Sequence, residues 1–223
     1  MIVSPKYPRT FHLPWSKGAT NDDKRATSVE GLIGKPIIIS DKIDGSNTSL
    51  EAEACFARTH SGSPTHPSFD GFKALHAAIK HEITTDTQLF GEWVFARHSI
   101  EYTELPAYFL LFGVRYLEEP DYLWGSWEEV EFWSKEIAVP TVPILFQGII
   151  SSEKELQELT ESLMIQPSVC GGIREGVVVR IADAFNDDDF SSCVMKCVRA
   201  NHVSPDNDHW KHKEIVKNNL AKK

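Results

Sequence analysis

The stretch Pro36-Ile37-Ile38-Ile39-Ser40-Asp41-Lys42-Ile43-Asp44-Gly45-Ser46-Asn47 decides how the rest of the chain is read. Its first residues form a short β-branched run, the pattern of a buried strand. A lysine follows, with a carboxylate two residues on. Positions i and i+2 of an extended chain point to one side, so Lys42 and Asp44 can share a cavity. Gly45 lets the chain turn, and a polar strand begins at Ser46. Alone, Lys-x-Asp-Gly is also what a solvated strand end looks like, so the reading needs support from elsewhere.

Outward from this segment, residues 46–51 and 54–59 predict a hairpin. In 68–83, Phe69, Phe72, Leu75 and Ile79 recur at helical spacing. Residues 88–95 and 108–117 predict strands. Ser126-Trp127-Glu128-Glu129 has the form of a capping box and opens a helix to about residue 138; Ser152-Glu153-Lys154-Glu155 opens another to about residue 164. Residues 175–181 and 192–199 read as strands on either side of an acidic loop, Asn186-Asp187-Asp188-Asp189, expected to be a solvated turn. Residues 1–35, rich in Pro and Gly, read as loop, and 209–223 as a short helix or an irregular tail. Strands outnumber helices and come in hairpins. The expected class is α+β, with mostly antiparallel sheets and flanking helices, rather than a doubly wound parallel sheet.

The chain has 223 residues, 41% hydrophobic and 25% charged, which suits one globular domain. Its apolar runs are far shorter than the ~20 residues of a membrane span. No basic stretch leading into an apolar segment opens it, so no secretory signal is expected. Cys55, Cys170, Cys193 and Cys197 form no CxxC pair and read as reduced thiols of a cytoplasmic protein. The net charge of -9 argues against bulk nucleic-acid binding. Yet residues 196–223 hold seven basic side chains against three acidic ones. That asymmetry fits either a polyanion-facing surface or a solubilising tail.

Three further charges stand inside apolar strands: Glu92 before Trp93-Val94-Phe95, Glu175 before Gly176-Val177-Val178-Val179, and Lys196 within Cys193-Val194-Met195-Lys196-Cys197-Val198. A lone buried charge costs several kcal/mol unless it is paired or binds an ion. These residues therefore form a structural salt-bridge network with Lys42, or a site for a phosphorylated ligand and a hard metal ion.

In order and context the segments resemble the covalent nucleotidyltransferase superfamily of polynucleotide ligases and mRNA capping enzymes. Lys42-Ile43-Asp44-Gly45 is similar to its first motif, and Arg58-Thr59-His60-Ser61-Gly62 to the next. Phe90-Gly91-Glu92 resembles the third, with Leu111-Phe112-Gly113-Val114 as its companion. Glu175-Gly176-Val177-Val178-Val179-Arg180 resembles the fourth and Val194-Met195-Lys196 the fifth. Asn47, five residues after the lysine, is similar to phage-type RNA ligases of the nick-sealing branch. The opening 7–16 and closing His202-Val203 and His209-Trp210 resemble stand-alone RNA ligase-like proteins of that branch.

The resemblance implies a ligase adenylation fold and an ATP-dependent RNA ligase that joins 5′-phosphate and 3′-hydroxyl ends. Lys42 would carry AMP covalently, with Mg²⁺ or Mn²⁺ as the metal. A lysine is nucleophilic only when neutral, and its ordinary pKa of about 10.4 forbids that at neutral pH. A nearby cation, Lys196, Arg58 or the metal, would lower it. By the same resemblance Glu175, with Asp44 and Glu92, would hold the metal. Arg58 and Glu92 would contact ribose, Phe112 would stack on adenine, and Asp41 would read adenine unless it is a solvated strand-end acid. Ile43 would line the nucleotide site, Asn47 would lie near the ribose or the RNA 5′-phosphate, and Lys196 would touch the α-phosphate.

Two positions depart from the pattern: Val194 stands where a basic residue is common, and Gly113 where an acid is. The expected organisation is one domain over 1–223, with 200–223 a basic tail and no OB-fold. The expected partners are RNA ends, in a nicked duplex or a broken RNA, with no membrane. A partner protein would supply RNA contacts that the core and tail lack. The alternatives are a non-catalytic nucleotide- or RNA-binding relative and a GTP-dependent capping-type enzyme.

Overall fold

The computed structural model of the chain describes residues 5–60, 62–117, 121–200 and 214–222. In chain order its elements are β1 Phe11–His12, β2 Pro36–Lys42, β3 Ser46–Leu50, β4 Cys55–Ala57, α1 Asp70–Ile79 and β5 Thr87–Trp93. There follow β6 Phe109–Tyr116, β7 Leu123–Trp124, α2 Trp127–Glu136, β8 Ile144–Ile149 and α3 Glu153–Met164. The last are β9 Gly176–Ile181, β10 Phe185–Asn186, α4 Phe190–Cys193 and β11 Val194–Val198. One sheet runs β1-β11-β9-β2-β8 and the other β10-β7-β6-β5-β3-β4. Every strand pair is antiparallel except β1 with β11. The class is α+β with mostly antiparallel sheets, as expected.

Two cores form on opposite faces of the strands. Ile37, Ile38 and Ile39 are fully buried, with Ile38 in one core and Ile37 and Ile39 in the other. This is the period-2 alternation of a strand covered on both sides. Leu89 and Phe90 divide in the same way. The capping box at Ser126 is complete, with the Ser126 side chain accepting from Glu129 N–H and the Glu129 carboxylate accepting from Ser126 N–H. At α3 only half of it forms. Ser152 caps Glu155 N–H, but the Glu155 carboxylate turns to Ser151.

Three local expectations are corrected. Ser192 and Cys193 belong to a helical turn, α4, and the strand starts only at Val194. Gly45 is not needed for a positive φ: a Cβ there would lie 2.7 Å from the Trp93 carbonyl oxygen, so close approach demands glycine. The acidic loop is not wholly solvated. Asp187 Oδ1 accepts from Arg115 Nη1 at 3.0 Å and from Trp124 Nε1 at 2.7 Å.

Arg115 is the buried anchor of this end of the molecule. Its Nε donates to Gln88 Oε1, its Nη2 to the Pro5 and Lys6 carbonyls, and its guanidinium lies over the Phe90 and Trp124 rings. Truncating such a group strands several acceptors. The Arg115→Met chain should lose about 3 kcal/mol of stability. For a domain of this size that is a fall in Tm of roughly 6–12 °C, read by thermal unfolding.

Candidate active site

Strand β9 pairs antiparallel with β2, setting Lys42 opposite Gly176 and Asp41 opposite Val177. Glu175, one residue before β9, therefore falls beside Lys42. Both carboxylate oxygens accept from Lys42 Nζ at 2.8 Å. Next to this pair Asp41 Oδ1 accepts from Arg174 Nε at 3.1 Å, while Asp41 Oδ2 accepts from the Ser168 hydroxyl and Val169 N–H. Two adjacent ion pairs of opposite polarity thus brace the end of β2 to the start of β9. Asp41 is 1% exposed, so it is no solvated strand-end acid. Its carboxylate is held by the 168–174 loop while the residue lines the cavity described below. A Cβ on Gly176 would sit 2.3 Å from the Cys197 carbonyl oxygen, which is why glycine follows Glu175.

Burial alone would lower the Lys42 pKa, but the attraction of Glu175, then of Glu92, outweighs it and raises it. The expected depression by a neighbouring cation is thus not what the protein groups alone produce. Lys196 is instead the lysine whose pKa is lowered, by burial and then by Lys42. Glu92 is pushed up to about 8 by burial, against the pull of Lys42 and with the push of Glu175.

A cavity of about 390 Å³ opens against the lysine. It brings together Asp41, Lys42, Ile43, Asn47, Arg58, Glu92, Phe112 and Lys196 on its walls. Asn47 and Glu92 are cross-strand neighbours on β3 and β5. Two expected residues are not on its walls. Glu175 stands behind the lysine it grips. Asp44 is drawn away, its Oδ2 accepting from Ser99 N–H at 2.7 Å and Ile100 N–H at 3.0 Å. Among the described residues no three His, Cys, Asp or Glu side chains gather into a metal-holding group. The expected trio of Asp44, Glu92 and Glu175 is therefore split. The pair Glu175 and Glu92 fits a hard ion that keeps its waters and takes further oxygens from a ligand phosphate.

Several cavity residues escaped the sequence reading. Tyr7 sits edge-on to Phe90, Phe112, Trp124 and Phe190, and burial pushes its hydroxyl up to about 12. Arg180, 5% exposed, lines the cavity directly across the strand pair from Val194. Its guanidinium is engaged by the Ile181 carbonyl at 3.0 Å and the Gly125 carbonyl at 2.7 Å and lies over the Trp127 and Phe185 rings. His98 also faces the cavity, 3.5 Å from the Ser46 hydroxyl. Lys196 is steadied from outside, since β1 sets His12 beside it and Asp23 Oδ1 lies 3.8 Å from its Nζ. His12 is 1% exposed and its pKa is lowered to about 4 by burial and by Lys196. The segment His209-Trp210-Lys211-His212-Lys213 lies outside the described residues.

A β2 lysine on the wall of the cavity is thus held by the carboxylate of the residue that immediately precedes β9. The RNA ligase family model matches residues 35–198, and the chain belongs to that family. A search of curated protein sequences finds no match. Among solved structures, a mutant RNA ligase of Naegleria gruberi in its apo form is similar over 87% of this chain and 57% of its own, at 15% identity and TM-score 0.53. A second mutant of that ligase, with ATP and Mn, matches 87% of this chain and 60% of its own, at 13% identity and TM-score 0.52. An archaeal ATP-dependent RNA ligase matches 87% of this chain and 48% of its own, at 14% identity and TM-score 0.53. These likenesses establish the fold, and the chain spans less than two thirds of the length of each ligase. Among the described residues no helix is long and apolar enough to cross a membrane.

Proposed function

We propose that the chain is the adenylylating core of an ATP-dependent RNA ligase. The observation that carries this reading is Lys42 on the cavity wall, with its ammonium gripped by Glu175. Lys42, once neutral, attacks the α-phosphorus of ATP; the N–P bond forms, the bond to the leaving oxygen breaks, and pyrophosphate departs. An RNA 5′-phosphate then displaces the lysine and takes the AMP. A 3′-hydroxyl finally attacks that 5′-phosphate, joins the ends and releases AMP. Each step is an in-line displacement in which positioning and neutralised charge supply most of the catalysis. Lys196 faces the phosphates, Arg58, Glu92 and Asn47 the ribose side, and Phe112 stacks on adenine against Tyr7. Glu175 and Glu92 would hold Mg²⁺ or Mn²⁺, which would neutralise phosphate charge when bound. A similar ligase solved with ATP and Mn supports that choice. The four buried free cysteines suit a reducing, cytoplasmic setting. RNA ends are the substrate, with the basic 200–223 segment or a partner protein adding contacts.

The test is incubation with ATP labelled at the α-phosphate and Mg²⁺ or Mn²⁺, followed by a denaturing gel. The expected result is a labelled chain, competed by unlabelled ATP and not by GTP, and discharged by a nicked duplex carrying a 5′-phosphate. ATP binding without label would support the non-catalytic reading that Val194 favours. Competition by GTP alone would support the capping type.

A further inference from the structure

The described end of the chain, residues 214–222, lies along the 94–105 loop. Its backbone forms bridges from Lys217 to Ala96 and from Leu220 to Leu105. Further bonds run from Arg97 N–H to the Val216 carbonyl and from Asn219 N–H to the Tyr102 carbonyl. Hydrophobic burial does not hold it there, since Ile215, Val216 and Leu220 are 39%, 54% and 44% exposed. One side chain is buried completely, and it is polar. Asn218 Oδ1 accepts from Tyr102 N–H at 2.9 Å, and its Nδ2 donates to the Val94 carbonyl at 2.9 Å. The same loop reaches the active lysine's motif. Tyr102, fully buried, accepts from Asp44 N–H through its hydroxyl at 2.8 Å. Ser99 and Ile100 N–H groups hold the Asp44 carboxylate. His98, between these anchors and the 216–218 contacts, faces the cavity.

We propose that Tyr102 and Asn218 are positioning residues for adenylylation. The 214–222 segment clasps the 94–105 loop, and that loop fixes Asp44 and hence the direction in which Lys42 leaves β2. This rests on the reading of Lys42 as the nucleophile. The segment is held by hydrogen bonds, each net bond contributing about 1 kcal/mol, so loss of one leaves the others in place. It can still define local geometry, to which an in-line attack is sensitive at the ångström level.

The experiment is single-turnover labelling of the full chain across ATP concentrations, with Tyr102→Phe, Asn218→Ala, the double variant, and Leu156→Ala as a control. Leu156 is fully buried and does not line the cavity. Expected are a roughly tenfold fall in the maximal labelling rate for each loop variant and ATP half-saturation within about twofold of wild type. The double variant should fall by less than the product of the single effects, because both residues act on one loop. Amide hydrogen exchange over 41–46 should quicken in both loop variants and not in Leu156→Ala. Loop variants that label like wild type, or lose no more than Leu156→Ala at equal loss of Tm, would overturn the clasp while leaving the ligase reading intact. A wild-type chain that takes no label overturns both.

Discussion

A Lys42→Arg chain folds as the wild type does and takes no detectable label from ATP, a loss of at least about a thousandfold. Arginine is the informative replacement because it separates the two jobs the lysine performs. Lys42 is the counter-charge of Glu175, whose side chain is only 7% exposed. Alanine would leave that carboxylate buried without a partner, at a cost of about 3–5 kcal/mol, and a dead enzyme could then be a misfolded one. A guanidinium keeps the charge and can grip a carboxylate through two parallel bonds. It does not surrender a proton in a protein, so it cannot attack phosphorus. The rival nucleophile is Lys196, which faces the same cavity and has the lowered pKa. The Lys196→Arg chain should therefore be assayed beside it. It is expected to label at about a tenth of the wild-type rate, having lost shape and not charge at the phosphate. Label that persists in Lys42→Arg and vanishes in Lys196→Arg would exchange the two roles.

The fold was legible where hydrophobic pattern and turn chemistry agree. The three isoleucines of β2, the hairpin after Gly45 and the capping box at Ser126 each specify their own local structure, and each appears as read. The lining of the site was legible through charges that interrupt apolar strands, because a carboxylate such as Glu92 needs a partner wherever it is buried. Contacts made across long sequence separations were not legible. Nothing near Asp44 announces that its carboxylate belongs to the 99–100 amides, and nothing near Asp41 announces Arg174, 133 residues later. Tyr7 reaches the cavity because Arg115 holds the carbonyls of Pro5 and Lys6. Backbone carbonyls leave no trace in residue type. Asn218 was hidden for a related reason: a lone asparagine in a basic stretch looks like surface until its amide is found spanning Tyr102 and Val94.

The Glu175→Gln chain tests the carboxylate from its own side. In the protein alone Glu175 is fully engaged by the lysine ammonium, with both oxygens 2.8 Å from Nζ. A lysine so held is charged and inert, so the grip must be released before attack. If Glu175 were only a restraint, the amide would free the amine. Labelling would then rise at neutral pH, with no change in its dependence on metal concentration. If Glu175 transfers its hold to a divalent ion arriving with the phosphates, the neutral amide is a far weaker ligand for a hard cation. The rate then falls about a hundredfold, and half-saturation by Mg²⁺ moves up about tenfold. The second outcome is expected, because the two carboxylates repel each other without an ion and the backbone holds Glu175 in place. Glu92 lies close enough to Glu175 for the two charges to repel, so a divalent ion beside them would be drawn to both. The Arg199 N–H bond to the Glu175 carbonyl and the β9 pairing hold the backbone whatever the side chain is, so the amide should sit where the acid did. A Tm within a few degrees of wild type would confirm that placement. Titration of the labelling rate with Mg²⁺ and with Mn²⁺ then decides between restraint and metal ligand: a faster enzyme with an unmoved metal curve would remove Glu175 from the metal site.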